Sequence, residues 1–122
     1  MSEIRATTIS DTAGTGPVTL TKQSAAKAWI NFNGYNNSTR DSFAMSSTTD
    51  VATGRYQHFF TSNMSNTSYA ITTNGHRAED FAIGSRTNEQ ETHAYEVMSH
   101  GHLNTTDTDS DSAFSVIHGD LA

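Results

Sequence analysis

The sequence predicts an all-β fold, an antiparallel β-sandwich of about seven or eight short strands. Apolar and polar residues alternate with a period of two in most segments, which is typical of half-buried strands. Clusters of turn residues interrupt these segments at the intervals expected of a sandwich. Only 34% of the residues are hydrophobic. Ser, Thr and Asn are abundant instead, and these residues suit pleated surfaces and turns.

The first clear strand is predicted at residues 27–33 (KAWINFN), before a polar loop. Its alternation places three apolar side chains on one face: Ala28, Ile30 and Phe32. Trp29 and Asn31 share the other face. We therefore consider two positions for Trp29, the only tryptophan. It either packs between the two sheets of the sandwich, or it anchors a contact with a neighbouring subunit.

Two further strands are predicted at residues 40–46 (RDSFAMS) and 55–61 (RYQHFFT), with a turn at 50–54. Phe43 and Met45 share one face of the first of these strands. The second places an aromatic-rich set together: Tyr56, His58 and Phe60. The residues expected to anchor either the core or a subunit interface are Trp29, Phe32, Phe43, Tyr56 and Phe60.

Four more strands complete the predicted sandwich, at residues 68–73, 79–85, 93–100 and 112–122. Asn74 and Gly75 are the strongest hairpin signal in the chain, and they predict a turn directly after the first of these strands. In the last strand, Phe114 and Val116 share one face. No heptad repeat, strand–helix alternation or long amphipathic helix competes with this assignment.

Chain length, net charge and cysteine content limit the classes of function. A chain of 122 residues suits one domain, so residues 1–122 are assigned to a single sandwich, with residues 1–20 as a candidate peripheral arm. A net charge of −6 with seven Lys and Arg argues against binding nucleic acid or an acidic membrane surface. The absence of cysteine excludes disulfides, and no signal peptide or membrane-spanning run is present. We expect a protein that is made in the cytoplasm, does not insert into membranes and is stabilised by self-association.

His100 and His102 are the first candidate for chemistry. On a strand, residues two apart face the same side, and three such pairs in a trimer would supply six nitrogen ligands to a metal ion. Gly101 lies between them and favours a solvent-exposed loop instead. We therefore predict no bound metal and no other cofactor.

Asp107, Asp109 and Asp111 have the spacing of the first three ligands of a calcium-binding loop. The glycine and the bidentate glutamate that such a loop needs are replaced by Ser112 and His118. An acidic turn exposed to solvent is the preferred interpretation.

Glu89, Glu91 and His93 could in principle perform acid–base chemistry if one carboxylate were desolvated. Their polar surroundings predict a loop rather than a cleft, and no nucleophile elbow is present. We therefore expect a protein that is not an enzyme.

The polar loop after the first strand is a candidate recognition surface. Asn, Tyr, Ser and Gly are typical of adaptable binding loops. The residues that could contact a glycan or a neighbouring protein are Asn33, Tyr35, Asn36 and Asn37. A solvated hairpin loop without a binding role is the alternative.

Several segments carry motifs that occur together in a known domain. They are Lys27, Ala28, Trp29 and Phe32; Arg40, Asp41, Ser42 and Phe43; Gly54, Tyr56, Phe60, Thr61, Met64 and Tyr69; and the ending HGDLA. With these motifs the chain resembles a small domain of tailed bacteriophages, especially marine and cyanobacterial ones. The resemblance covers most of the chain and is weakest over residues 76–108.

The resemblance implies a structural protein of the virion, most often a tail-fibre or fibre-associated protein, with no catalytic residues to carry over. We expect a homotrimer, because fibres and many capsid decorations have three-fold symmetry. The expected partners are other copies of the chain, other virion proteins and a glycan on the host surface. Two alternatives stay open, a capsid decoration or cement protein on the phage head and a lectin-like tip that binds a receptor.

Overall fold

The computed structural model describes residues 25–77, 80–101 and 107–122. The regular elements in these ranges are β-strands: β1 (Ala28–Asn33), β2 (Ser38–Phe43), β3 (Met45–Ala52), β4 (Arg55–Phe60), β5 (Ala70–Arg77), β6 (Asp80–Gln90), β7 (Ala94–Gly101) and β8 (Ser112–His118). Every strand pair is antiparallel. The predicted all-β antiparallel sandwich is confirmed. The candidate arm at residues 1–20 lies outside the described residues. Over the described ranges, no helix is long and apolar enough to cross a membrane.

The strands form two four-stranded layers that remain connected by hydrogen bonds. The strand order is β2-β1-β8-β5-β6-β7-β4-β3. Strand β6 passes from one layer to the other, because its first residues pair with β5 and its later residues pair with β7. Ile83 is the point of transfer, since it pairs with Gly75 on one side and with Gly101 on the other. Such strand-switching corners are common in orthogonal sandwiches.

A second corner lies on the opposite side of the sandwich. Strands β2 and β3 are the two ends of the strand order, yet only Ala44 separates them in the sequence. Ala44 has a φ of 57°, in the left-handed region that non-glycine residues seldom adopt. The single strand predicted at residues 40–46 is therefore wrong, because the chain turns at Ala44 and continues in the other layer. The turn predicted at 50–54 is also shorter, since β3 extends to Ala52.

The interior lies between the two layers and takes alternate residues of the central strands. In β1 the buried residues are Ala28, Ile30 and Phe32. In β4 they are Tyr56, His58 and Phe60. These observations confirm the faces predicted for residues 27–33 and 55–61. The rings of Phe32 and Tyr56 lie 5.1 Å apart in a tilted contact, within the range of favourable aromatic pairs.

The hairpin turn predicted at Asn74 and Gly75 is wrong. Both residues lie inside β5, where Asn74 pairs with Phe114 and Gly75 pairs with Ala113 of β8. The Asn74 side chain instead accepts a hydrogen bond from the Gly75 backbone N–H at 2.8 Å. The ladder to β8 thus outweighs a strong local turn preference, and the strand continues to Arg77.

Candidate functional site

An aromatic patch lies on the outer side of the layer that contains β1. Trp29 pairs directly with Phe43 of β2 and with Val116 of β8, so the three side chains point to the same side. Phe114 precedes Val116 by two residues and shares that side. Phe43 is 55% exposed and Phe114 is 39% exposed, while Trp29 and Val116 are half-buried. These four residues are called the aromatic face below.

The five predicted anchor residues divide between the interior and the aromatic face. Phe32, Tyr56 and Phe60 are buried between the layers. Trp29 and Phe43 lie on the outer side. Trp29 does not pack between the two layers, because it points away from the interior face of β1. Its role as an anchor of a subunit contact stays a prediction.

Phe114 and Val116 are the members of the aromatic face that sequence reasoning missed. The shared side of these two residues was predicted from their spacing, but their position beside Trp29 was not. That position depends on the pairing of β1 with β8, which joins distant parts of the chain. The alternation within each strand carries no signal for that pairing.

A cavity of about 490 Å³ adjoins the aromatic face, beside the corner where β2 meets β3. Its described lining is Ala25, Ala26, Lys27, Ala28, Phe43, Ala44, Phe60, Thr61, Ser62, Met64, Asp120 and Leu121. Phe43 belongs both to the cavity and to the aromatic face. Lys27 and Asp120 are the charged residues in this described lining. The cavity can therefore accept an apolar side chain that approaches over Phe43.

Charges of both signs border the aromatic face. Arg40 extends across β1, and its guanidinium Nη1 donates a hydrogen bond to the Ser112 hydroxyl of β8. Asp41 is exposed and pairs with Asn31 in the ladder between β2 and β1. A cation and an anion thus lie side by side on the strand that ends at Phe43.

The candidate recognition loop has a fixed geometry. The Asn33 carboxamide oxygen accepts the backbone N–H groups of Tyr35 at 3.0 Å and Asn36 at 3.3 Å. Asn37 has a φ of 51°, and its amide donates to Asp50 at 2.8 Å. The side chains of Asn33 and Asn37 therefore stabilise the loop, while Tyr35 is 51% exposed at its tip.

Asp109 has a structural role at the same end of the sandwich. Its Oδ1 accepts hydrogen bonds from the Gly54 backbone N–H at 2.7 Å and from the Tyr56 hydroxyl at 2.9 Å. Burial raises the pKa of Tyr56 well above its ordinary value, and the bond to Asp109 adds to that increase. Tyr56 therefore stays a neutral donor that connects the interior to the acidic segment.

The other two aspartates of that segment have separate partners. His100 Nδ1 lies 2.8 Å from Asp107 Oδ1, and His76 Nδ1 lies 4.0 Å from Asp111 Oδ2. Within residues 25–77, 80–101 and 107–122, no group of three or more His, Asp or Glu side chains could hold a metal ion. His102 lies outside the described residues. The described carboxylates of the acidic turn thus contribute to the fold rather than to a converging ligand set.

Glu91 and His93 form an exposed pair. Their side chains are 3.2 Å apart, and each is 51% exposed. They lie in the turn between β6 and β7, and the ring of His93 is 6.0 Å from that of Phe59. The pair therefore lies at the surface, with about half of each side chain exposed to solvent.

His58 is an ionisable side chain buried in the interior. It is 1% exposed, and its ring contacts those of Phe32 and Tyr95, with centroid distances of 5.6 and 5.3 Å. The Thr48 hydroxyl lies 2.9 Å from His58 Nδ1. Burial lowers the pKa of His58 from 6.5 to about 4, so the imidazole is neutral near pH 7.

Comparison with known proteins adds no relative to this description. The chain matches no protein-family model, no curated protein and no solved structure.

Proposed function

We propose that the chain is a non-enzymatic structural subunit of a tailed-phage virion, most specifically a tail-fibre or fibre-associated protein that assembles as a homotrimer. The observation that carries this proposal is the aromatic face. A polar chain with 34% hydrophobic residues leaves Phe43 and Phe114 partly exposed on one side of a sheet. Contiguous exposed apolar residues on a small domain are typical of a protein–protein contact.

The positions of the phage-like motifs support the same proposal. Trp29 and Phe32 lie on β1, Phe43 ends β2, and Tyr56 and Phe60 lie on β4. These residues form the interior and the aromatic face, so the motifs describe a framework and a contact surface. The motif residues therefore do not form a set of reacting groups. That agrees with the resemblance to phage domains that serve as structural parts of the particle.

The distribution of ionisable groups favours a binding role over catalysis. Asp109 is engaged by Gly54 and Tyr56, and Glu96 is held by Arg55, whose Nη2 lies 2.7 Å from its Oε1. The described lining of the cavity contains Lys27 and Asp120 but no histidine or glutamate. A general acid and base within reach of one substrate atom are the usual requirement for hydrolytic chemistry.

Immunolabelling of intact virions tests the proposed function. A gold-labelled antibody raised against the full chain would be applied to purified particles and viewed by electron microscopy. We expect label on the tail or its fibres, and excess purified protein should abolish it. Label confined to the head would replace the fibre assignment with a decoration protein, and no label on any particle would overturn the virion assignment.

A receptor-binding tip is a second candidate, favoured by the fixed loop that presents Tyr35. Its test is binding of the full chain to an array of bacterial surface glycans, with Tyr35→Ser as the variant. Val51→Ser is the matched control, because Val51 is also exposed, at 45%. Loss of binding in the Tyr35 variant alone would support the tip, whereas equal binding by both variants would exclude this loop.

A further inference from the structure

We infer that the aromatic face is the surface through which copies of this chain associate, with each copy contributing its own aromatic face. The inference rests on the proposed function, in which the chain is a self-assembling subunit. It adds the location of the contact, the residues at its centre and the reason that the partner is a second copy.

Exposed apolar area marks this face as a contact surface. Phe43 on β2 and Phe114 on β8 lie on either side of β1, and Trp29 of β1 pairs directly with Phe43 and with Val116, two residues from Phe114. Leaving such rings in water has a free-energy cost that burial against a partner removes, at roughly 25 cal/mol per Å² of apolar area. Large aromatic residues at the centre of a contact commonly dominate its affinity.

Packing of side chains is the way in which β1 and β8 can be covered. Strand β1 lies between β2 and β8, and β8 lies between β1 and β5. Their backbone groups are therefore engaged in ladders on both edges, so a partner cannot add a strand beside either of them. A contact that covers Trp29 and Phe114 therefore forms face against face, as in sheet-on-sheet packing.

The charges at this surface favour a second copy as the partner. Two copies of a chain with a net charge of −6 repel one another over most of their surfaces. Among the described residues named at the aromatic face and its adjoining cavity, Lys27 and Arg40 contribute +2 and Asp41 and Asp120 contribute −2, which gives zero. Copies can therefore approach through this surface without net repulsion, and each cation can face a partner's anion.

The cavity extends this surface. Phe43 is shared by the aromatic face and the 490 Å³ cavity, so a copy that packs on Phe43 also lies at the edge of the cavity. Much of the described lining is apolar, including Phe43, Met64 and Leu121, so the cavity suits an apolar side chain of the partner. A side chain in a concave apolar site loses more contact with water than one on a flat surface, so this arrangement favours a stable contact.

The test is the oligomeric state of the full chain, measured by sedimentation equilibrium over a range of concentrations. The variant is the double substitution Phe43→Ser with Phe114→Ser, and the matched control is Val51→Ser. All three side chains are exposed in the single chain, between 39% and 55%, so circular dichroism should show that both proteins remain folded. We expect the variant to weaken association by at least about 30-fold and the control to leave it within about 3-fold.

Trp29 provides a second readout, because it is the only tryptophan and belongs to the aromatic face. On dilution of the wild-type protein, its emission should shift to longer wavelength as the oligomer dissociates. The emission of the Phe43 and Phe114 double variant should not depend on concentration in the same range.

The outcomes separate the two proposals. If the protein forms an oligomer and the variant associates as tightly as the control, the aromatic face is not the contact. The virion assignment is unaffected by that result, because immunolabelling tests it separately. A chain that stays monomeric, with constant Trp29 emission, would also overturn the inference and assign the face to a partner other than a second copy. A dimer or a trimer that dissociates only in the variant would support it.

Discussion

The interior of the sandwich and the aromatic face reverse the usual placement of some polar and apolar side chains. The interior contains polar side chains, His58, Ser99 and Ser115, each no more than 1% exposed. The aromatic face, on the outer side, leaves Phe43 and Phe114 partly exposed. In this chain, apolar character alone therefore does not determine which residues form the core. The interior excludes water and is closely packed, whereas the outer aromatics are available for a contact.

The largest expected difference in the free energy of unfolding is between alanine variants of two phenylalanines in the same layer. Phe32→Ala should lower the free energy of unfolding by about 3–5 kcal/mol, because it removes a buried ring and leaves a cavity. Phe43→Ala should change it by less than about 0.5 kcal/mol, because the ring is 55% exposed. Urea denaturation of both variants at low protein concentration, where association does not contribute, measures the difference. Equal losses would mean that Phe43 belongs to the core.

Acid should destabilise the interior through His58. In the unfolded chain, the His58 imidazole takes up a proton near pH 6.5. In the folded protein, burial lowers its pKa to about 4, so it stays neutral down to about that pH. The stability from neutral His58 is therefore complete above about pH 6.5 and is lost as the pH falls towards 4, by about 3 kcal/mol in total. Denaturation of wild type and His58→Gln at pH 7.5 and 4.5 isolates this contribution, since the other ionisable groups are common to both. Parallel losses in the two proteins would show that His58 does not titrate as proposed.

The close packing of the interior should appear at Gly34. A Cβ at this position would lie 2.5 Å from Cζ of Tyr56, whose hydroxyl is held by Asp109. We expect Gly34→Ala to lower the free energy of unfolding by about 2 kcal/mol, because the ring has little freedom to move. Adding Tyr56→Phe releases the ring from Asp109 and should make the alanine less costly than in the wild-type background. Additive effects of the two substitutions in thermal or urea unfolding would contradict this coupling.

A smaller effect is expected from a buried hydroxyl pair. Tyr95 and Ser115 connect the two layers through a hydrogen bond between their side chains, and both residues are buried. A double-mutant cycle of Tyr95→Phe and Ser115→Ala should give a coupling of about 1 kcal/mol in the free energy of unfolding. A coupling near zero would mean that the hydroxyls lie in the interior without stabilising it.

The sequence was sufficient for the features that depend on local alternation. The buried sides of β1 and β4 follow from period-two patterns within six residues, and an inward-facing Phe32 and outward-facing Trp29 could be predicted from them. The corner at Ala44 could not, because alanine has no preference for positive φ and the alternation across Phe43 and Met45 looks continuous. The conformation of Ala44 is imposed by the two layers that it joins.

The candidate site was harder to predict than the fold, because it is assembled from distant strands. Asn74 and Gly75 illustrate the reason, since a strong local turn signal was overruled by pairing with β8. The aromatic face depends on the same strand, which brings Val116 beside Trp29. No property of either segment alone indicates its neighbour, so the surface becomes visible only when the ladders are known.

The central position of β8 also determines the order of events during synthesis. This strand lies between β1 and β5, yet the ribosome completes both of them long before it reaches Ser112–His118. Until then, the nascent chain has two strands whose facing edges lack their shared neighbour, a state prone to mispairing with other chains. This layer can therefore be completed only after β8 has been synthesised. Because many of the strand pairings are non-local, we expect the protein to fold slowly.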